Sequence, residues 1–198
     1  MSGASSGGGS VAREFFGTLA ALGLVGAALF AVAGVWPPMV AVESGSMQPN
    51  LDRGDLVFVT AVDRYDDGTA GPDGVMTVHE AEASAHERFG EPGDVVVFVD
   101  PDGTGAPTLH RAHFWVEEGE DWYGRADRSA IPSGVDDCSE LANCPATHAG
   151  YVTKGDGNAH YDQAVGRTDP VRTEWVRGKA NAGIPKLGWV RLVVAEAV

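Results

Sequence analysis

The hydrophobic positions of the chain form one long apolar run near the amino terminus, followed by several short runs. The segment from Phe15 to Trp36 contains 22 residues, none of them charged and none of them proline. As a helix it would be about 33 Å long, which matches a bilayer hydrocarbon core about 30 Å thick. Pro37 and Pro38 end the run. The pattern predicts one transmembrane helix over residues 15–36, preceded by a disordered Gly- and Ser-rich tail over residues 1–14.

Two other interpretations of the apolar run are weaker. A cleaved secretory signal has a shorter apolar core of about 7 to 15 residues, although Ala31-Val32-Ala33 resembles a cleavage sequence. A buried helix of a soluble protein would need a polar face, and this run has none. The length therefore favours an uncleaved membrane anchor.

The charges that flank the run indicate its orientation. Arg13 and the amino terminus precede it, whereas Glu43, Asp52 and Asp55 follow it. Positive charge stays on the cytoplasmic side of a membrane helix. We therefore expect the bulk of the chain on the extracytoplasmic face of the cell membrane, as one domain over residues 40–198.

Short apolar runs bounded by Gly, Asp and Pro predict a mainly β domain with antiparallel strands. These runs cover residues 56–59, 95–99, 114–116 and 151–153. One helix is predicted between the first two runs, from about Thr77 to Phe89, with Gly90 as its stop. Residues 100–107 and 124–147 have the composition of surface loops.

The net charge of the chain excludes nucleic-acid binding and indicates a salt-rich environment. It has 14 basic against 28 acidic residues, a net charge of -14, and only three of the basic residues are lysine. Nucleic acid is excluded as a partner, because phosphate binding needs a positive surface. An acidic, lysine-poor surface suits concentrated salt, where screening removes most self-repulsion. The composition therefore favours a halophilic source over ordinary acidic solubility.

Cys138 and Cys144 are six residues apart in a polar, turn-rich stretch. A loop-closing disulfide is expected if the domain faces an oxidising compartment. Free thiols and a metal site with His148 are the alternatives, and the second is poor because only three ligands are available. His79 and His86 share a face of the predicted helix but lack a third ligand, so no metal is expected there either. The other histidines outside the motifs, His113, His148 and His160, are expected to be exposed.

Three segments carry candidate chemistry for a serine nucleophile, which needs a base and an oxyanion site. The first is Ser44-Gly45-Ser46-Met47-Gln48-Pro49, followed by Gly54-Asp55. The second is Leu109-His110-Arg111, and an imidazole can accept a serine proton near neutral pH. The third is Lys154-Gly155-Asp156-Gly157-Asn158 with Asp162 after it, and an acid here could orient the imidazole.

These three segments, in this order, resemble the signature boxes of type I signal peptidases, and the match extends from Ser44 to Ala180. Bacterial members have a lysine base where this chain has His110, directly before Arg111, so the resemblance is to the archaeal and endoplasmic-reticulum branch. It implies a signal-peptidase-like antiparallel β catalytic domain. Two departures are Gly157, where the family often has asparagine, and a long insertion over residues 124–147.

The resemblance also implies roles for the residues. Ser46 would be the nucleophile and His110 the general base, with the Ser44 hydroxyl and the Ser46 N–H as the oxyanion hole. Asp156 and Asp162 both match acidic positions of the branch. Asp156 is favoured as the partner of His110, because it follows Gly155 directly after a predicted strand.

The expected activity is that of a membrane-bound serine endopeptidase that removes signal peptides from exported preproteins and needs no cofactor. Its partners would be those signal peptides, the lipid bilayer and the secretion machinery. The alternatives are a catalytically silent, membrane-tethered binding subunit and a processing protease with another target.

Overall fold

The structure, a computed structural model, describes residues 7–64, 70–71, 73–101, 103 and 105–196. It begins with helix α1, Gly7–Ala33. Residues Val11–Ala33 of α1 have a mean hydropathy of 2.2 and are long and apolar enough to cross a membrane. No residue in an 18-residue apolar window of this segment is buried by the rest of the described chain. The predicted anchor is therefore present as a single exposed apolar helix.

Both ends of α1 differ from the prediction. The helix begins at Gly7, so the expectation of disorder is wrong for residues 7–14, while residues 1–6 of that tail lie outside the described residues. The helix ends at Ala33 because Gly34 turns into the left-handed region with φ of 74° and its N–H bonds back to the Phe30 carbonyl. The apolar composition thus predicts that a membrane-spanning helix is present, whereas the turn at Gly34 determines that the helix ends at Ala33.

The body of the chain is one six-stranded antiparallel sheet with a separate two-stranded hairpin. The strand order in the sheet is β1-β2-β8-β5-β6-β7. The sheet strands are β1 (Met39–Ala41), β2 (Leu56–Thr60), β5 (Val95–Phe98), β6 (Thr108–Val116), β7 (Gly150–Lys154) and β8 (Val176–Ile184). The hairpin strands are β3 (Glu87–Arg88) and β4 (Glu91–Pro92). The mainly β antiparallel fold with one amino-terminal apolar helix is confirmed.

Sequence patterns found four of the sheet strands and missed β1 and β8. Strand β8 lies between β2 and β5, so it is central to the sheet. Its sequence contains Gly178, Gly183 and a buried Lys179, which are poor strand signals. A Cβ at Gly178 would lie 2.3 Å from the Thr60 carbonyl oxygen, so the neighbouring strand needs glycine there.

The predicted helix from Thr77 to Phe89 is wrong except for its first turn. Helix α2 covers only Val78–Ala81, with Thr77 and Glu80 forming a capping box. Beyond it, Ala85 and Phe89 adopt positive φ, and the chain turns into the β3–β4 hairpin. The helix therefore starts where the sequence predicted, but it ends at Ala81 instead of Phe89.

The insertion from residue 124 to 147 is more than a surface loop. It folds into three 3-10 turns, Tyr123–Arg125, Arg128–Ala130 and Cys138–Glu140, with a disulfide between Cys138 and Cys144. Its apolar residues pack with Phe114, Trp122 and Tyr161 in one buried cluster. His148, expected to be exposed, is buried against Trp175. The loop prediction failed because the apolar residues of this segment follow neither the spacing of a strand nor that of a helix, although the turns bury them.

Candidate active site

The turn that carries Ser44 and Ser46 follows β1 directly and is held by contacts on both sides of the serines. Met47 is buried in the sheet core, and the Val42 N–H bonds to the Asp55 carbonyl. The Ser44 and Ser46 hydroxyl oxygens are 3.1 Å apart, and the Ser46 N–H points to the Ser44 hydroxyl at 3.4 Å. Ser46 itself is half-buried. The two serines thus share one turn, in which both hydroxyls and the Ser46 N–H lie close together.

His110 lies on β6, paired with Val96 of β5, and its side chain is buried. Its Nδ1 is 2.5 Å from Oδ2 of Asp162, which leaves Nε2 for another partner. A Cβ added to Gly155 would lie 2.9 Å from His110 Nε2 and 2.4 Å from the Ser46 carbonyl oxygen. Nε2 therefore faces the same narrow gap that the Ser46 turn borders.

Asp162 is fully buried and is held by two further donors. The Thr153 hydroxyl donates to Oδ2 at 2.9 Å, and Arg167 Nη1 donates to Oδ1 at 3.1 Å. The preference for Asp156 as the hydrogen-bond partner of His110 was wrong, because Asp162 occupies that position. Sequence reasoning also missed Thr153 and Arg167, since a lone threonine in a strand and an arginine in a turn carry no signal of their own.

Asp156 instead forms a two-pronged ion pair with Arg111, with Nε to Oδ1 at 2.8 Å and Nη2 to Oδ2 at 2.7 Å. Asn50, in the turn after Ser46, donates to the same carboxylate at 2.9 Å. Successive residues of a strand point to opposite faces, so the partners of His110 and Arg111 must lie on opposite sides of β6. Asp156 therefore ties the serine turn to the back of the sheet.

Arg111 extends this connection to the hairpin. Its Nη1 lies within hydrogen-bond distance of four carbonyl oxygens of the β3–β4 region and is nearest, at 2.8 Å, to that of Gly93. The whole guanidinium is buried. One arginine thus fixes the hairpin, β6 and the serine turn relative to one another.

The segment of Gly155 and Gly157 packs tightly against the serine turn. The Gly157 N–H donates to the Ser46 carbonyl at 2.8 Å, and a Cβ there would lie 2.9 Å from the Gln48 carbonyl oxygen. Lys154 Nζ donates to the carbonyls of Gly155 and Asn158, each at 3.2 Å. The lysine therefore supports the backbone of this segment, and the glycine at position 157 fits the close approach.

His113, two residues after Arg111 on β6, has a strongly lowered pKa. Burial, followed by the charges of Lys154 and Arg111, lowers its pKa to about 3. Its ring meets Tyr161 edge to face at 5.1 Å between centroids. His113 was expected to be exposed, but it is half-buried and neutral at ordinary pH.

A groove of about 460 Å³ opens beside Ser46 and His110. One wall is β1 with the residues that follow it, and the other is formed by β5, the start of β6 and the segment before it. The groove is lined by Val40, Ala41, Val42, Glu43, Ser44, Ser46, Met47, Val97, Ala106, Pro107, Thr108, Leu109, His110, Asn158 and Arg167. β1 is an edge strand of the sheet, so its outer backbone groups border this groove.

The residues considered as metal ligands do not form a site. His86 bonds to Asp94 at 2.8 Å, whereas His79 stacks on Phe114. Cys138 and Cys144 are near Asp121, but both sulfurs belong to the disulfide. Within the described residues, therefore, these histidines and cysteines are already engaged in other contacts.

No protein-family model matches the chain. It is similar to the signal peptidase complex catalytic subunit SEC11 of Eremothecium gossypii, with 29% identity over 184 residues, 91% of this chain and 80% of that protein. The protein of the same name from Paracoccidioides lutzii is 26% identical over 162 residues, 80% of this chain and 67% of that protein. These similarities support a relationship to the type I signal peptidases. A signal peptidase relationship agrees with the order of the three motifs, with the position of Ser46 and His110 in one groove, and with the bond between His110 and the buried Asp162.

Proposed function

We propose that this chain is a membrane-bound serine endopeptidase that removes signal peptides from exported preproteins. The observation that carries the proposal is the bond from Asp162 to His110 Nδ1, with Nε2 directed to the Ser46 turn beside an open groove. A serine, an imidazole and an acid in this order are the parts of a proton-transfer triad. The SEC11 relatives provide the substrate class.

In the proposed reaction, the Ser46 oxygen attacks the carbonyl carbon of the last leader residue while His110 Nε2 takes the hydroxyl proton. The C–N bond then breaks, and His110 returns the proton to the leaving amine of the mature protein. Water attacks the ester in the same way and frees Ser46. Asp162 fixes the imidazole so that Nδ1 carries a proton and Nε2 is free to accept one.

The oxyanion of each tetrahedral intermediate would be bound by the Ser44 hydroxyl and the Ser46 N–H. At rest the Ser46 N–H points to the Ser44 hydroxyl oxygen at 3.4 Å, and that oxygen is 3.1 Å from the Ser46 hydroxyl oxygen. In the resting structure the Ser44 hydroxyl contacts the Ser46 hydroxyl, so it must rotate to the oxyanion when substrate binds. Once both donors are directed at the oxyanion, they would stabilise charge that develops only in the transition state.

The leader would bind as an added strand along β1, with its side chains in the groove. Main-chain bonds to an edge strand provide affinity without sequence preference, and pockets provide selectivity. The apolar walls at Val42, Val97 and Leu109 suit small uncharged residues before the cut. A groove of this kind accepts many different leaders.

The proposed location is the cell membrane, with α1 as the only anchor among the described residues and the sheet on the extracytoplasmic face. Arg13, which precedes the uncharged stretch of α1, and Glu43, which follows the helix, support this orientation. Leaders emerge from the membrane close to this face. Contact with the secretion machinery that delivers them is part of the proposal.

We further propose a haloarchaeal source, on the strength of the net charge of -14 and the scarcity of lysine. Such a surface needs salt to screen its own repulsion. The bonding of Asp162 to His110 also agrees with the histidine branch of the family rather than with the lysine branch.

The test is cleavage of a reporter preprotein by the purified full chain in proteoliposomes at molar KCl, with the products identified by mass. We expect one mature fragment from the wild type and none from Ser46→Ala. Ser133→Ala, at an exposed serine of the insertion, is the matched control and should cleave normally. Binding of the preprotein without cleavage by the wild type would favour a silent subunit, and cleavage elsewhere would favour another processing protease.

A further inference from the structure

Three side chains that can carry charge border the groove, and their surroundings differ. His110 bonds to the buried Asp162, and Arg167 donates to the other oxygen of that carboxylate at 3.1 Å. The positive charge of Arg167 is therefore compensated. Glu43 is exposed and forms no ion pair with any residue that the structure describes. Glu43 thus carries the uncompensated charge in the wall of the groove.

The backbone at Glu43 faces the free edge of the sheet. Next to it, the Val42 N–H donates to the Asp55 carbonyl at 2.9 Å, and the Gly54 N–H donates to the Val42 carbonyl at 2.8 Å. These bonds extend the pairing of β1 with β2 by one residue. In an antiparallel ladder, successive residues direct their backbone groups to alternate sides of the strand. The N–H and carbonyl of Glu43 therefore point away from β2, to the edge where a leader would add.

The side chain of Glu43 lies on the accessible face of this edge. Val42 is 6% exposed and packs in the core, whereas Glu43 is exposed. This difference agrees with the alternation of side chains between the two faces of a strand. A leader strand on the edge would place one residue directly opposite Glu43, on the same face and with about 4.5 to 5.5 Å between the Cβ atoms. The leader residues before and after it would turn to the face of Val42.

The two faces of a bound leader would therefore meet different chemistry. Val42 packs in one cluster with Val97 and Leu109, and all three line the groove, so leader side chains on that face meet apolar walls. The leader residue opposite Glu43 meets a carboxylate. Opposite charges that face each other across two strands stabilise the pairing, and like charges destabilise it. A lysine or arginine at that leader position would bind better than an aspartate or glutamate.

We infer that Glu43 selects leaders by charge at the single position that pairs with it, where a basic residue is favoured and an acidic residue is rejected. This inference rests on the proposed function, in which the leader adds to β1 as a strand. It assigns Glu43 a preference that the apolar walls do not provide. The selection acts on binding of the leader, so it does not need the cleavage step.

The first test is competition between two preproteins in one reaction, with the full chain in proteoliposomes at molar KCl. The two differ only by lysine or glutamate at one of the last four leader residues, and each position is tested in turn. At one position we expect kcat/KM to be about two- to fivefold higher for the lysine preprotein, the range of a single cross-strand charge pair. The adjacent positions should show no such preference, because their side chains turn to the other face. Equal rates at all four positions would overturn the inference.

Variants of Glu43 separate a local contact from the general attraction of an acidic chain for basic substrates. Glu43→Gln keeps the shape of the side chain and removes its charge, so the preference should disappear, and Glu43→Lys should reverse it. Glu118→Gln, at an exposed position outside the groove, removes the same charge and should retain the preference. A preference that survives in Glu43→Gln would come from the net charge of -14 and would contradict the inference.

Binding gives a second readout that is independent of cleavage. The Ser46→Ala chain keeps the groove but lacks the nucleophile, and fluorescence anisotropy of labelled leader peptides measures Kd. The lysine peptide should bind about two- to fivefold more tightly than the glutamate peptide at the same single position. Equal Kd values at every position, or no binding of any leader peptide, would overturn the inference. Cleavage without a charge preference would reject only the role of Glu43, whereas a charge preference in binding without cleavage by the wild type would reject only the peptidase activity.

Discussion

At the scale of single residues, the structure gives the two acids of the third motif different tasks. Asp162 bonds to His110 Nδ1, whereas Asp156 pairs with Arg111. We expect Asp162→Asn to reduce kcat by up to about ten-thousandfold, because an amide cannot fix the same imidazole tautomer. Single-turnover cleavage of one preprotein, with folding checked by circular dichroism, measures this.

Asp156→Asn should mainly reduce stability. It would leave Arg111 buried beside a neutral partner, and breaking a buried pair costs about 3 to 5 kcal/mol. Denaturant unfolding in detergent should show this loss in the free energy of unfolding, with a smaller loss of kcat than in Asp162→Asn. A larger kcat effect at Asp156 would reverse the two roles.

His113 should make stability depend on pH. Its native pKa is lowered to about 3 by burial and by Lys154 and Arg111, whereas an unfolded histidine titrates near pH 6.5. As pH falls from about 6.5 towards 3, the unfolded state takes up a proton that the native state does not, so stability falls by at most about 1.4 kcal/mol per pH unit. His113→Gln should remove this part of the slope in unfolding curves between pH 7 and 4. Equal slopes in both proteins would contradict the assignment.

At the scale of elements, the packing of the Gly155 segment on the serine turn has a direct test. A Cβ at Gly155 would be 2.4 Å from the Ser46 carbonyl oxygen, so Gly155→Ala must displace the turn or His110. We expect a loss of kcat of at least a hundredfold, since misplacement by about 1 Å can cost that much. Gly124→Ala, where the added atom meets open space, is the control for cleavage assays. Normal activity of Gly155→Ala would mean the two segments adjust freely.

The disulfide should stabilise the insertion more than the site. Closing a loop of this size restricts the unfolded chain and contributes about 2 kcal/mol. The double variant Cys138→Ser with Cys144→Ser should therefore lower the denaturation midpoint in detergent. Cleavage at low temperature should change little, because the insertion packs on Tyr161 and bonds to Ala164 and Thr168 rather than to Ser46, His110 or Asp162. An unchanged midpoint would contradict a stabilising role.

At the scale of the whole molecule, the net charge of -14 dominates behaviour in solution. Self-repulsion of a compact acidic domain falls as the Debye length shrinks from about 10 Å at 0.1 M salt to about 3 Å at 1 M. We expect the melting temperature of the detergent-solubilised protein to rise by at least several degrees between 0.1 and 2 M KCl. A flat or falling curve would indicate ordinary acidic solubility.

Some features of this protein follow from the sequence alone, because they depend on local composition or on motifs that carry their own context. The membrane helix follows from uninterrupted apolar length, and four strands follow from β-branched runs between turn residues. Ser46, His110 and the two acids were found as candidates because each sits in a motif of fixed order. The central strand β8 was missed because it contains glycines, which are poor strand formers. The close approach of a neighbouring strand requires one of them, Gly178.

Only the tertiary structure decided which acid meets His110. Asp156 and Asp162 are six residues apart and equally acidic, so nothing local separates them. Side chains alternate along β6, so His110 and Arg111 point to opposite faces of the strand. Asp162 lies on the side of His110, and Asp156 lies on the side of Arg111. Thr153 and Arg167 likewise donate hydrogen bonds to Asp162 only because the fold brings their side chains to its carboxylate.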